Sequence, residues 1–208
     1  MAATHDANRH RFSAFVLAGG QSLRMGRDKA LVELDGQSLI QRSVGLLRQL
    51  TSQVFVIGPP ATYSFLGTDK VIPDCVPRAG PLGGIYTALR HSGTAINLIL
   101  ACDMPRMSAM FLNLLIQSIP GFDAVLMRHD DGKLEPLCAA YTKACLPAIE
   151  RDLRSKKLKV SSFLDQVRVK FIRESDLPAL GLDGGIFQNV NTPADLEAEM
   201  ERRGSNGF

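Results

Sequence analysis

Short apolar, β-prone runs alternate with stretches of helical period along most of this 208-residue chain, and no other feature narrows the fold as much. Residues 12–18 read as a strand that runs into Gly19-Gly20. Leu39, Ile40, Val44, Leu47 and Leu50 then recur at three- and four-residue steps, the spacing of one apolar helix face. Residues 54–57 form a second apolar run closed by Gly58-Pro59-Pro60, and Val71-Ile72 a third ending at Pro73-Asp74. Leu82, Ile85, Tyr86 and Leu89 mark the next helix, and residues 97–102 the next strand. Ser108 is placed to cap a helix carrying Phe111, Leu114, Leu115 and Ser118. Strands at 123–127 and 137–141, a helix around Leu146, Ile149 and Leu153, and a strand at 167–172 follow. Thr192 as N-cap, Pro193 at the first helical position and Asp195 at the third start a last helix. Such alternation predicts an α/β fold of three layers around a mostly parallel sheet. There is no internal repeat, low-complexity tract or linker, so one domain over 1–208 is expected, with unordered ends near 1–10 and 203–208.

The chemistry concentrates where the first strand ends, in Leu17-Ala18-Gly19-Gly20-Gln21-Ser22-Leu23-Arg24-Met25-Gly26-Arg27-Asp28-Lys29. Ligands of parallel sheets gather at the carboxyl edge of the strands. Glycines there let the backbone approach closely and turn amides toward phosphate oxygens. Arg24 supplies a planar fork for phosphate and Lys29 a mobile point charge, together able to neutralise a triphosphate and the pyrophosphate that leaves it. The spacing excludes a Walker loop, because after Gly20 the next glycine is Gly26 and Arg27 follows it; Gly-x-Gly-x-x-Gly is absent too. Ser22 lacks a Gly-x-Ser-x-Gly elbow, which argues against a hydrolase nucleophile.

Asp103 follows the strand at 97–102, where a carboxylate suits Mg²⁺, a cation that prefers hard oxygens and keeps substrate phosphates in its shell. Read from the residues alone, Asp103 serves equally well as a cap for the helix near Ser108. Asp74 is either a ligand contact or a turn residue after proline. Gly83 and Gly84 either border a ligand or allow close packing of helix on sheet. Asn189 and Asn191 either bind a ligand or brace the turn into the last helix.

With these motifs in view, the chain resembles the molybdenum cofactor guanylyltransferases of the MobA type. Their signature is Leu-Ala-Gly-Gly-x-Ser-x-Arg-Met-Gly-x-Asp-Lys-Ala, and it matches residues 17–30. Cys102-Asp103-Met104-Pro105 resembles the family's metal site and Asn189-Val190-Asn191-Thr192-Pro193 its Asn-x-Asn-Thr-Pro motif. Gly80-Pro81-Leu82-Gly83-Gly84 and Glu135-Pro136-Leu137-Cys138-Ala139 resemble its pocket-bordering segments, the latter beside the second substrate. The likeness runs from about Phe12 to Glu199 and implies a Rossmann-like nucleotidyltransferase fold. The implied reaction transfers GMP from GTP to the phosphate of the molybdopterin cofactor, giving a guanine dinucleotide cofactor and pyrophosphate, with Mg²⁺ required. Residue by residue, it makes Arg24, Lys29 and Asp103 catalytic and Asp103 the metal ligand. It makes Leu17, Ala18, Gly19, Gly20, Lys29, Asp74, Asp103, Asn189 and Asn191 the nucleotide and cofactor contacts. Gly19, where many cytidylyl and uridylyl relatives carry alanine, favours guanylyl transfer. One departure is Ile57-Gly58-Pro59, where family members can carry an asparagine. Proteins that donate the pterin and molybdoenzymes that accept the product are the partners the likeness brings in. The competing readings are a cytidylyl- or other nucleotidyltransferase acting on a sugar or alcohol phosphate, and a non-catalytic nucleotide-binding carrier.

Composition removes other classes. A net charge of +3 without a basic block or aromatic–basic interleaving speaks against nucleic acid. The apolar run at 98–102 falls far short of the ~20 residues a membrane span needs. Residues 1–11 lack the apolar core of a secretion signal. The four cysteines show neither Cys-x-x-Cys spacing nor grouped histidines, so a cytoplasmic protein with reduced thiols and no zinc is expected. His5, His10, His91 and His129 sit in polar or terminal contexts and read as solvated surface, as do Lys156, Lys157 and Lys159, which alternatively dock an anionic cofactor or partner.

Overall fold

The computed structural model describes residues 12–18, 28–66 and 70–205. Seven strands form one sheet in the order β5-β4-β1-β6-β8-β7-β9. These are β1 (Phe12–Leu17), β4 (Val54–Ile57), β5 (Val71–Ile72), β6 (Ile96–Ala101), β7 (Ala124–Arg128), β8 (Leu134–Thr142) and β9 (Val169–Arg173). Neighbours run parallel except at β8, which is antiparallel to both β6 and β7. The mostly parallel sheet expected from the sequence is thus present, with one reversed strand. A two-stranded hairpin, β2 (Glu33–Leu34) with β3 (Gln37–Ser38), was not legible in the sequence, since two-residue strands carry no period to read.

The three layers follow from alternation along the strands. Ala14 and Val16 of β1 point to one face, covered by α1 (Leu39–Arg48) and α4 (Ala109–Gln117) through Ile40, Val44, Leu47, Phe111 and Leu115. Phe15 points to the other face, covered by α3 (Gly80–His91), α5 (Leu146–Arg154) and α6 (Ser161–Leu164) through Leu82, Ile85, Leu89, Ile149 and Phe163. With helices on both faces, the central strands have no wet side and read as nearly unbroken apolar runs. A four-residue helix, α2 (Pro60–Tyr63), follows β4, and α7 (Pro193–Ser205) closes the described chain.

Helix starts obey local capping chemistry. Ser38 and Gln41 exchange bonds at the start of α1 in a capping box. At α7, Asp195 N donates to Thr192 Oγ1 at 3.2 Å, and Thr192 N to Asp195 Oδ2 at 2.8 Å, the cap expected from the sequence.

The start of β7 is tied to the start of β9 by one fork: Arg168 donates from Nε and Nη2 to the two carboxylate oxygens of Asp123, at 3.1 and 2.8 Å. These bonds, with one from the Arg168 backbone, hold the Asp123 carboxyl below its usual range although partial burial pushes the other way. A depressed native pKa contributes stability that is complete above the unfolded value of about 4 and is lost as pH falls through the native one. Arg168→Leu should therefore lower stability at pH 6, and its gap from the parent should narrow as pH falls below about 4. Urea midpoints measured across that range check it, and parallel curves would refute it.

Candidate active site at the switch point of the sheet

From β1 the chain passes through α1 to β4 on one flank; from α3 it returns to β6 on the other. The strand order thus reverses between β1 and β6, and ligands of open α/β sheets bind outside the carboxyl ends at such a point. Leu17 pairs with Ala101, so the segments that leave β1 and β6 start side by side.

Lys29 opens a 3-10 turn, Lys29–Leu31, fixed from two sides by Asp28. Asp28 Oδ1 accepts from Ala30 N at 3.0 Å, and Oδ2 accepts from the Tyr63 hydroxyl at 2.7 Å. Burial, and next the bond to Asp28, raise the Tyr63 pKa well above the usual phenol range, so this anchor stays a donor. From that turn Lys29 Nζ donates to Asp103 Oδ2 and to Asn191 Oδ1, both at 2.5 Å. The three residues lie 74 and 162 positions apart in the chain.

Asp103 is held in turn. Its carbonyl accepts from Val190 N at 2.9 Å, and Arg203 of α7 donates to the Pro105 carbonyl at 3.1 Å. Helix α4 is capped by Ser108, whose Oγ accepts from Met110 N at 3.2 Å, so the alternative of Asp103 as that helix's cap falls away. Two buried oxygens here accept no hydrogen bond from the described residues, Asp103 Oδ1 and Asn189 Oδ1. Leaving such groups unpaired costs about 1–3 kcal/mol each, which marks them as acceptors waiting for a partner. Both residues line one cavity of about 530 Å³. Its apolar walls include Pro81, Met104, Leu134, Pro136, Leu137 and Val160, and its polar lining Lys133, Glu135, Lys159 and Ser161. Hard oxygens of this kind fit a divalent cation that takes most of its shell from phosphate and water. Among the described residues no three His, Cys, Asp or Glu side chains gather for a metal. Burial, and next the Asp103 carboxylate, push the neighbouring Cys102 thiol up to about 12.

The other expected site residues divide. Arg24, Gly19 and Gly20 lie outside the described residues. Leu17 and Ala18 end β1 at the crevice. Asp74 Oδ1 accepts from Val76 N at 2.9 Å and from Thr87 Oγ1 at 2.8 Å, bracing the turn before α3, and Asp74 is not among the cavity's walls. Gly84 has the packing reason: a Cβ there would lie 3.3 Å from Leu17 of β1. Asn191 joins the lysine cluster, while Asn189 faces the cavity.

One expectation needs correction. His129 is not solvated surface: its ring is 14% exposed, lies edge-on to Phe187 and sits 3.1 Å from a carboxylate oxygen on each side, Glu135 on Nε2 and Glu174 on Nδ1. A polar neighbourhood in sequence hid this, because the second glutamate arrives from β9's far end. His91 is exposed as expected, touching Phe55 edge-on. Lys159 is exposed but borders the cavity, which a run of three lysines did not reveal.

A doubly covered, mostly parallel sheet with a lysine, a carboxylate and an amide meeting at its switch point defines an α/β nucleotidyltransferase. The chain belongs to the MobA-like NTP transferase domain family, whose pattern it matches over residues 14–170. It is 39% identical over 181 residues to a protein of Pelotomaculum thermopropionicum described as a probable molybdenum cofactor guanylyltransferase, covering 87% of this chain and 88% of that one. A protein of Carboxydothermus hydrogenoformans with the same description is 37% identical over 182 residues, 88% and 91% of the two chains. Among solved structures, the molybdopterin-guanine dinucleotide biosynthesis protein A of Archaeoglobus fulgidus superposes with a TM-score of 0.80 at 27% identity, covering 93% of this chain and 99% of that one. Membership of a nucleotidyltransferase family calls for a divalent metal, and the unpaired oxygens of Asp103 and Asn189 fit one.

Proposed function

We propose that this enzyme transfers GMP from GTP to the terminal phosphate of molybdopterin, releasing pyrophosphate. The observation that carries the reading is the meeting of Lys29, Asp103 and Asn191 outside β1 and β6, beside a cavity large enough for a second substrate. The guanylyltransferase descriptions of the relatives supply the base and the acceptor. Mg²⁺ on Asp103 Oδ1 and Asn189 Oδ1 would make the α-phosphorus more electrophilic. The acceptor phosphate is already anionic at neutral pH, so the chain has no strong base to provide. One acceptor oxygen bonds to the α-phosphorus as the bond to the bridging β-phosphate oxygen breaks, and the electron pair leaves with pyrophosphate. The protein's part is positioning and charge neutralisation. Lys29, aimed by Asp28 and Tyr63, neutralises the polyphosphate, and Arg24 joins it from the glycine-rich segment. Leu17, Ala18, Gly19 and Gly20 offer backbone groups to base and phosphates, and Asp74 contacts the nucleotide through the turn it braces.

No helix among the described residues is long and apolar enough to cross a membrane, and all four cysteines are unpaired. Both fit work in the reducing cytoplasm, where donor and acceptor proteins for the pterin would be met. Thermal melting with each of four nucleoside triphosphates and Mg²⁺ tests the reading. A ligand at about 100 times its Kd stabilises the native state by about 2.7 kcal/mol. GTP should raise the melting temperature most; a larger shift with CTP would move the assignment to a cytidylyltransferase.

A further inference from the structure

The cavity beside Asp103 holds one carboxylate that the transfer chemistry does not use. Glu135, the second residue of β8, is 4% exposed and lines the cavity. Its contacts among the described residues all fall on Oε1: Lys133 Nζ at 2.7 Å and His129 Nε2 at 3.1 Å. Oε2 carries none of them. His129 is backed by Glu174 through Nδ1 and by the Phe187 ring, so the carboxylate is held from behind by a chain of three side chains. Preorganised in this way, one oxygen is committed to the protein and the other is left for an occupant. The same cavity is lined by the apolar side chains of Pro136, Leu134 and Val160, a wall that can take a ring system.

Leu100 lies opposite Cys138 in the antiparallel β6–β8 pair, so the first residues of β8 lie beside the end of β6. The cavity is therefore on the β8 side of Asp103, whereas β1 lies on the other side of β6. Asp103 and Asn189 are among the residues that line the cavity, and an acceptor seated here has its phosphate to bring to them.

We propose that Glu135 is the specificity residue for the acceptor, reading the paired N–H donors on the 2-amino-4-oxopyrimidine edge of a pterin. This rests on the molybdopterin reading above. A ring N–H and the neighbouring amino group present two adjacent donors, which Oε2 can accept through its two lone pairs while Oε1 stays with Lys133 and His129, and a pteridine lacking one of them leaves that oxygen short of a hydrogen bond. Guanine carries the same pair of donors, so the test must separate pterin from nucleotide.

The probes are 6-hydroxymethylpterin monophosphate and its lumazine counterpart, in which oxygen replaces the 2-amino group, each titrated by its own fluorescence. The unaltered protein should bind the pterin about tenfold to a hundredfold more tightly than the lumazine, the discrimination one paired contact supplies. Glu135→Gln should erase that preference. Its amide oxygen has to stay with the Lys133 ammonium, which turns the amide NH₂ toward the ligand's own donors. Glu135→Ala should erase it too, by removing the acceptor without adding a donor. GTP affinity, measured by calorimetry, should not change in either variant. Equal binding of the two pteridines by the unaltered protein, or a preference that survives in Glu135→Gln, overturns the proposal while leaving GMP transfer standing. Loss of GTP affinity with pterin binding intact overturns it by assigning the cavity to the nucleotide. If the unaltered protein binds GTP but neither pteridine phosphate, the acceptor reading itself fails. The comparison within the unaltered protein decides even if a variant does not fold.

Discussion

Asp103→Ala is expected to lower pyrophosphate release from GTP and molybdopterin about a thousandfold, and Lys29→Ala by a similar factor, with the fold intact. Groups preorganised around developing charge are worth about a hundredfold to a thousandfold each when removed. Here the two form one unit, Nζ on Oδ2 at 2.5 Å, so the double variant should lose little more than either single one. Both side chains keep a fifth or less of their surface exposed, 16% for Lys29 and 20% for Asp103. Their pairing is thus shielded but not sealed, and Asp103→Ala also removes a buried oxygen that has no partner among the described residues. The two effects on stability oppose each other, and urea midpoints should move little. Single-turnover release assays with saturating Mg²⁺ measure the rate, and near-normal turnover in both variants would end this account of the site.

Gly58→Ala should have the largest effect on stability of any single methyl added to the described glycines. A Cβ at residue 58 would lie 2.1 Å from the Ala18 carbonyl oxygen and 2.7 Å from the Tyr63 ring. The first of these is backbone, which cannot swing aside. Ala18 N is bonded to the Ile57 carbonyl at 2.9 Å, and Gly58 N to that of Ile72 at 3.0 Å, so both strand ends are already fixed. Overpacking of this kind costs about 3 kcal/mol or more. The displaced segment holds Ala18 and, through Tyr63, the Asp28 anchor of Lys29, so GTP affinity should fall as well. Gly45→Ala is the control: nothing lies within 4 Å of its Cβ, and its place inside α1 predicts a gain of about 0.5–1 kcal/mol. Equal urea midpoints for the two variants would refute the packing argument. Within the Ile57-Gly58-Pro59 segment, residue 58 itself has no room for a Cβ against the Ala18 carbonyl.

The strands and helices that carry the sheet were legible because their signals are local. Leu39, Ile40, Val44 and Leu47 mark α1 by spacing, and all four are buried, Leu39 with Val32, Leu34 and Val190 and the other three in the core under the sheet. Thr192 and Asp195 announce α7 by capping chemistry confined to four residues. The reversal of β8 was not legible, because an antiparallel strand buried on both faces has the same apolar run as its parallel neighbours. Nor was the hairpin of β2 and β3, too short to show a period.

The chemical string at 17–29 and the motifs at 102–105 and 189–193 identify the family from sequence, because a phosphate-binding turn needs particular residue types at particular spacings. Distance in space is another matter. That Lys29 touches both Asp103 and Asn191, that Tyr63 aims the turn beneath it, and that Glu135 stands over the cavity with His129 and Glu174 behind it, are consequences of strand order. The sequence by itself settled which elements form and which chemistry they carry, since period, caps and turns act over a few residues. Only the tertiary structure decided which side chains meet, because the reversal between β1 and β6 brings together groups as much as 162 positions apart, and no local preference encodes that.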